Sequence, residues 1–225
     1  MSFKEICYWL VDYAYVLRTF VDSLFIRRPP VPLKTDNGKV PILMIQGLYN
    51  RWNSMRSLAE HLSKNGYPVY LLPQLGRNSG PIPAMAGIVR KFIAEKGLQN
   101  IIIIGHSKGG LVGKCILDNE DGSVKIKKLI AIACPFQGSR AAVYLPTKSH
   151  AELTPSSPMI AKLSASRQNN GKITSIYCKF DNHVWPLSSC ILPGAKNIQT
   201  GVYGHHRILF DKTVRDIVLS EISNF

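Results

Sequence analysis

Hydrophobic and polar positions along this chain fall into two kinds of segment that alternate. Short apolar runs at Pro41–Gln46, Tyr67–Leu72, Asn100–Ile104, Ile126–Cys134, Ile173–Phe180 and Lys196–Val202 have the length and composition of buried strands. Between them, Asn53–Lys64 and Pro83–Lys96 place apolar residues at helical period and end at Asn65-Gly66 and at Gly97. Leu111–Leu117 is compatible with a helix, and Arg207–Ile222 closes the chain as another. About six strands separated by helices predict an α/β fold with a parallel, doubly wound sheet, because parallel strands need crossover connections. Phe136–Pro158 is the longest stretch without clear period, a candidate substrate loop or small lid.

The amino-terminal segment follows a different pattern. Glu5–Ile26 is apolar except for a narrow stripe of Glu5, Asp12, Thr19 and Ser23 at helical period. As a membrane span it is unfavourable. Its apolar residues contribute about −3 to −6 kcal/mol, while Asp12, Arg18 and Asp22 near the bilayer centre cost about 8–10 kcal/mol. The same charges interrupt any signal-peptide core, and no small-residue cleavage site follows. Two placements fit better: a helix packed on the domain, or one lying in an anionic membrane interface. Arg27 and Arg28 then meet Pro29, Pro30 and Pro32, which end the helix and begin a stiff linker. The expected organisation is a helix and linker over residues 1–33 and one α/β domain over 34–225.

Composition narrows the class. With 225 residues, 45% of them hydrophobic and 19% charged, the chain is globular rather than disordered. The net charge of +14 favours anionic partners, but the basic residues are scattered and no nucleic-acid motif accompanies them, so no nucleic-acid partner is expected. Five cysteines are an odd number without metal-ligand spacing. Cys115, Cys134 and Cys178 sit in apolar segments and read as buried free thiols, which points to a reducing, cytoplasmic setting; peripheral membrane contact is expected only through the amino-terminal helix.

The chemistry centres on Gly105-His106-Ser107-Lys108-Gly109, directly after an apolar run and before a helical stretch. A G-x-S-x-G sequence alone arises by chance in on the order of one chain in ten this long. Its context gives it meaning: strand, sharp turn, helix lifts a serine above the sheet, where a base can reach it. In open α/β sheets ligands bind beyond the carboxyl ends of the strands. Asp181 follows one apolar run, and His205 and His206 follow the next. Either histidine is chemically able to serve as base, with Asp181 to orient and stabilise it. The oxyanion of a tetrahedral intermediate would be met by backbone N–H groups of Lys108 and Leu48. No metal or cofactor is called for.

The segments "PILMIQGLYN", "GHSKGGLV", "ACPFQGS", "FDNHVWP" and "GVYGHHRILF" together resemble the α/β-hydrolase superfamily, in particular its small lipases and esterases, over Pro41–Phe225. That resemblance aligns Gly204-His205 with the family's Gly-His and so selects His205 over His206. It implies a Ser107–Asp181–His205 triad that hydrolyses carboxylic esters through an acyl-enzyme, without cofactor. Gln46 departs from the histidine usual before Gly47. Gly47, Arg77 and Phe136, on loops after strand ends, are the candidate substrate-binding residues. Arg51, Arg77, Lys108, Arg140, Lys148 and Arg207 would give the mouth a basic rim suited to lipid or other anionic esters. The same machinery would serve an acyltransferase in which an alcohol replaces water, whereas a non-catalytic binding module would keep the fold without the triad.

Overall fold

Six strands hydrogen-bond in the order β2-β1-β3-β4-β5-β6, every neighbouring pair parallel. They are β1 (Ile42–Ile45), β2 (Val69–Leu71), β3 (Ile101–His106), β4 (Ile126–Ile132), β5 (Ile173–Tyr177) and β6 (Lys196–Gln199). This computed structural model describes residues 3–25, 38–119, 122 and 124–225. The expected end of the amino-terminal helix at Ile26 and the linker Arg27, Arg28, Pro29, Pro30 and Pro32 lie outside the described residues.

Period-two alternation splits the strand side chains between two apolar layers. Leu43, Ile45, Ile101, Ile103, Leu129 and Ala131 join one cluster with α3 (Ile82–Glu95) and α4 (Lys108–Asp118). Ile42, Met44, Ile102, Ile104, Ile130 and Ile132 join the other with α2 (Arg56–Lys64) and α7 (Lys212–Ile222). Both faces of the central sheet are therefore covered, which is why β1 and β3 read as continuous apolar runs. The edge strand β6, expected as a buried run, is instead largely exposed.

Two helices are shorter than their periodicity predicts. The segment read as one helix from Asn53 is a 3-10 turn, Trp52–Met55, followed by α2. Likewise Arg207–Phe210 is a 3-10 turn, and Asp211 breaks away with ψ 134° to cap α7, its carboxylate accepting from Val214 N–H at 3.2 Å. A 3-10 turn also spaces side chains at i and i+3, so apolar pattern alone fuses it with the helix behind it. The stretch without period holds a 3-10 turn at Arg140–Tyr144 and the short helix α5 (Lys148–Ala151), and ends where α6 (Pro158–Ala165) begins.

The amino-terminal helix α1 (Phe3–Phe25) packs on this domain through Asp12 and Thr19 of its polar stripe. Asp12 is fully buried, and the Thr19 carbonyl accepts from the Asn53 side chain. Tyr8 stacks on Tyr203 with ring centroids 4.2 Å apart, and Tyr15 meets Phe210 at 4.9 Å. Leu10, Leu17 and Phe25 point outward and are 68%, 62% and 81% exposed. No helix among the described residues is long and apolar enough to cross a membrane.

Candidate active site

Ser107 occupies the turn between β3 and α4 with φ 53° and ψ −123°. Non-glycine residues rarely adopt this conformation, and strain of this kind gathers at functional sites. The surrounding bonds hold it: Ser107 N–H donates to the Ile132 carbonyl at 2.8 Å, and its own carbonyl accepts from Gly110 N–H at 2.9 Å. Close approach of strand and helix requires glycine. A Cβ built on Gly105 would stand 2.5 Å from the Gly109 backbone.

Beyond β5 and β6 the two segments stay side by side through a parallel bridge between Phe180 and Tyr203, with Gly204 N–H donating to the Phe180 carbonyl at 2.9 Å. The next residues, Asp181 and His205, therefore meet. His205 Nδ1 lies 2.9 Å from Asp181 Oδ2. Asp181 Oδ1 accepts from His183 N–H at 2.7 Å and Val184 N–H at 2.9 Å. His205 N–H donates to Asn182 Oδ1 at 3.0 Å, and His106 Nε2 lies 2.9 Å from the His205 carbonyl.

This arrangement sets the charges. Burial alone would raise the Asp181 carboxyl, yet the adjoining His205 ring and the donated N–H groups hold it below its ordinary value. Burial would lower His205, but the Asp181 carboxylate outweighs it and Asp12 adds to the effect, so its pKa is raised. His183, whose Nε2 is buried without a partner, is pushed by burial and by the neighbouring His205 and His206 to about 3. His106 is driven well below its usual value, chiefly by burial. Of these three histidines, only His205 is held toward the charged form.

Ser107 and His205 line one cavity of about 740 Å³, with Leu48, Arg51, Arg77, Leu145, Leu153 and His183. Val16, Phe20 and Leu24 of α1 form part of its wall. Among the described residues, Leu48 N–H makes no hydrogen bond within the protein, and Lys108 is the first residue of α4, where a backbone N–H has no intrahelical acceptor.

Several expected site residues lie elsewhere. Phe136 is in the apolar core, 1% exposed, and its carbonyl accepts from Ser164 Oγ at 2.7 Å. Gly47 does not line the cavity. It lets the loop after β1 pass close to the elbow, since a Cβ there would stand 3.3 Å from Ser107 Cβ. Of the six basic residues expected at the mouth, only Arg51 and Arg77 line the cavity. The Lys108 side chain is fully buried, donating to the Gly80 carbonyl at 2.6 Å and pairing with Glu152 at 3.4 Å. An ammonium that far from solvent adds nothing to a rim. It ties the elbow to the loops before α3 and after α5, and Glu152 also accepts from Ile82 N–H at 2.8 Å.

Sequence reading passed over Asn182, Asn78 and Asp12 as parts of this constellation. The Gln46 carbonyl accepts from Asn78 Nδ2 at 2.6 Å, and Gln46 Nε2 donates to the Leu72 and Gly76 carbonyls, both at 3.3 Å. The glutamine that departs from the usual histidine thus anchors its loop to the chain after β2. One signal for Asp12 was present: a lone acid in the middle of an apolar helix is expensive unless it is paired.

A serine on a strained strand-to-helix turn, an Asp–His pair at neighbouring strand ends and a parallel sheet covered on both faces are the features of an α/β-hydrolase-type fold. A model of the alpha/beta hydrolase fold matches residues 40–155, about half the chain, and the chain belongs to that family. Aspergillus fumigatus lipase B is similar in structure, with 22% identity, a TM-score of 0.69, and 81% of this chain and 52% of that chain covered. This chain thus spans about half the length of that lipase. The mature form of Bacillus licheniformis lipase BlEst2 matches at 17% identity and TM-score 0.64, over 87% of this chain and 96% of that one. A membrane phospholipase A, described as a bacterial virulence factor, matches at 14% identity and TM-score 0.57, over 84% and 81%. At these identities the likeness is one of fold. Asp181, His205 and α1 all lie outside the matched family segment.

Proposed function

We propose that this protein is a serine ester hydrolase. Ser107 Oγ attacks the acyl carbon while His205 takes its proton, the tetrahedral oxyanion resting on the Leu48 and Lys108 N–H groups. Collapse expels the alcohol, which receives that proton from His205, and leaves an acyl ester on Ser107. Water, deprotonated by His205, then releases the acid. Asp181 holds the imidazole in one tautomer and stabilises its charged form. The observation that carries this reading is the Asp181–His205 hydrogen bond at the edge of the cavity that Ser107 also lines.

An anionic ester with an acyl chain suits the lining best. Val16, Phe20, Leu24, Leu145 and Leu153 supply apolar wall, and Arg51 and Arg77 have no ion pair among the described residues. The volume falls in the range of about 300–1,000 Å³ usual for ligand sites. A fluorophosphonate probe should label the wild-type chain and not Ser107→Ala, and a long-chain ester with a phosphate head should compete better than its neutral analogue. Equal labelling of the two proteins refutes the nucleophile, and equal competition refutes the anionic preference.

The outward face of α1 and the exposed pair Val143 and Tyr144, 65% and 77% exposed, support docking on an anionic lipid surface. Leu10 and Leu17 are spaced seven apart and so share one helix face, and full burial of such a side chain is worth about 1.5–3 kcal/mol. The triple variant Leu10→Gln, Leu17→Gln, Phe25→Gln should lose tenfold or more of its binding to acidic vesicles in co-sedimentation, and salt should weaken the wild type (about 1.4 kcal/mol per tenfold). Equal, salt-insensitive partitioning of both proteins would remove the membrane role.

A further inference from the structure

We infer that Asp12 is a positioning residue for His205, and that α1 is thereby a working part of the site. The inference rests on the reading of His205 as the general base.

Asp12 sits near the middle of α1 and is fully buried. Three donors compensate it. Its Oδ1 accepts from His206 N–H at 2.7 Å and from Arg207 N–H at 2.8 Å, and its Oδ2 lies 3.0 Å from His206 Nδ1. Two successive backbone N–H groups aimed at one oxygen make an anion cradle. Burial would raise the Asp12 carboxyl, but the His206 ring and the Arg207 N–H outweigh it and hold it well below its ordinary value, so it is ionised. The carboxylate also packs on Gly204, whose φ is 124°, and a Cβ there would meet Asp12 Oδ1 at 2.5 Å. Asp12 therefore grips residues 204, 206 and 207 and straddles His205 without bonding to it.

What remains of His205 is held from the other side. Asn182 takes its N–H, Asp181 takes Nδ1 and His106 meets its carbonyl. With the backbone pinned on both sides, the ring has one nitrogen left for the cavity, Nε2. The family match begins at residue 40, so this grip comes from a helix outside the matched segment.

Asp12 also acts through charge. The titratable groups facing His205 are Asp181 and His183 from the loop after β5, His106 from β3, His206 beside it and Asp12 from α1. Burial holds His106 and His183 neutral. Asp181 first, then Asp12, raise the His205 pKa against the effect of burial, so both favour the protonated ring. Activity needs neutral His205, so it rises with pH through a raised pKa. Removing the Asp12 charge moves that rise to lower pH.

The same three side chains offer another chemistry. Ligand atoms of Asp12, His183 and His206 all lie within 4.8 Å of one another, a donor set able to take a divalent transition metal.

The test uses the full chain and a short soluble ester. Asp12→Asn should lower kcat by about tenfold to a hundredfold, the scale of a small misplacement of a reacting group, with KM within about twofold. Its acid limb should move to lower pH. Asp12→Glu keeps the charge and shifts its position, so kcat should fall severalfold with the acid limb unmoved. Tyr15→Ala removes a packing contact of α1 and leaves the carboxylate. It should lower the melting temperature and keep both kcat and the limb. The idea is overturned if Asp12→Asn has wild-type kcat and an unmoved limb, or, should that variant not fold, if Asp12→Glu matches wild type. It is also overturned if EDTA abolishes wild-type activity and Zn(II) restores it, since the cluster would then be a metal site. An active His205→Ala would instead defeat the hydrolase reading beneath it.

Discussion

Ser107→Ala should abolish ester hydrolysis and leave the fold intact. The expected fall in kcat is about 10⁶-fold, leaving roughly 10³–10⁴-fold over water from the oxyanion donors and binding alone. Alanine keeps the Cβ, so the elbow retains its strain at φ 53° and its bonds to Ile132 and Gly110. Melting temperature should therefore stay within a few degrees of wild type, and substrate should still bind. The measurement is steady-state hydrolysis of a p-nitrophenyl ester, with thermal unfolding of both proteins alongside. Appreciable activity in a folded Ser107→Ala protein would show that another group attacks the ester.

His205→Ala should match that loss, and the double variant Ser107→Ala, His205→Ala should be no worse than either single change. Residues acting as one unit in proton transfer and attack are strongly non-additive. His206→Ala is the informative contrast. Its ring faces Asp12 rather than Asp181, so its removal should cost roughly tenfold, the worth of about one hydrogen bond at about 1.4 kcal/mol. If His206→Ala were the inactive variant and His205→Ala the mild one, the base would be one residue further along. If the double variant multiplied the two losses, the pair would not be acting as a unit.

The amino-acid sequence by itself determined the sheet and its direction. Apolar runs too short for helices, separated by amphipathic stretches, can bury both faces only as parallel strands with crossovers, and the six-stranded sheet is parallel, with only its edge strand β6 polar and largely exposed. It also determined the turn at Ser107, because Gly105 and Gly109 are legible signs of close backbone approach. Local boundaries were less legible. The 3-10 turns at Trp52–Met55 and Arg207–Phe210 carry the same spacing of apolar residues as the helices they precede.

Tertiary structure alone decided the destination of the charges and of the amino-terminal helix. Lys108 and Glu152 lie far apart in sequence, and nothing local says that they pair beneath the elbow rather than face substrate. Phe136 stands beside a strand end like a substrate contact, but its ring completes the core above α6. Asp12 of α1 turned inward because it finds three donors at residues 206 and 207, reached across nearly the whole chain. A buried carboxylate is stable only where such donors exist, and their position depends on where distant strands end. Periodicity can specify that a face is polar. Whether that face meets water or a partner is settled by non-local contacts, which is why α1 could be read as a helix from sequence but not as a wall of the cavity.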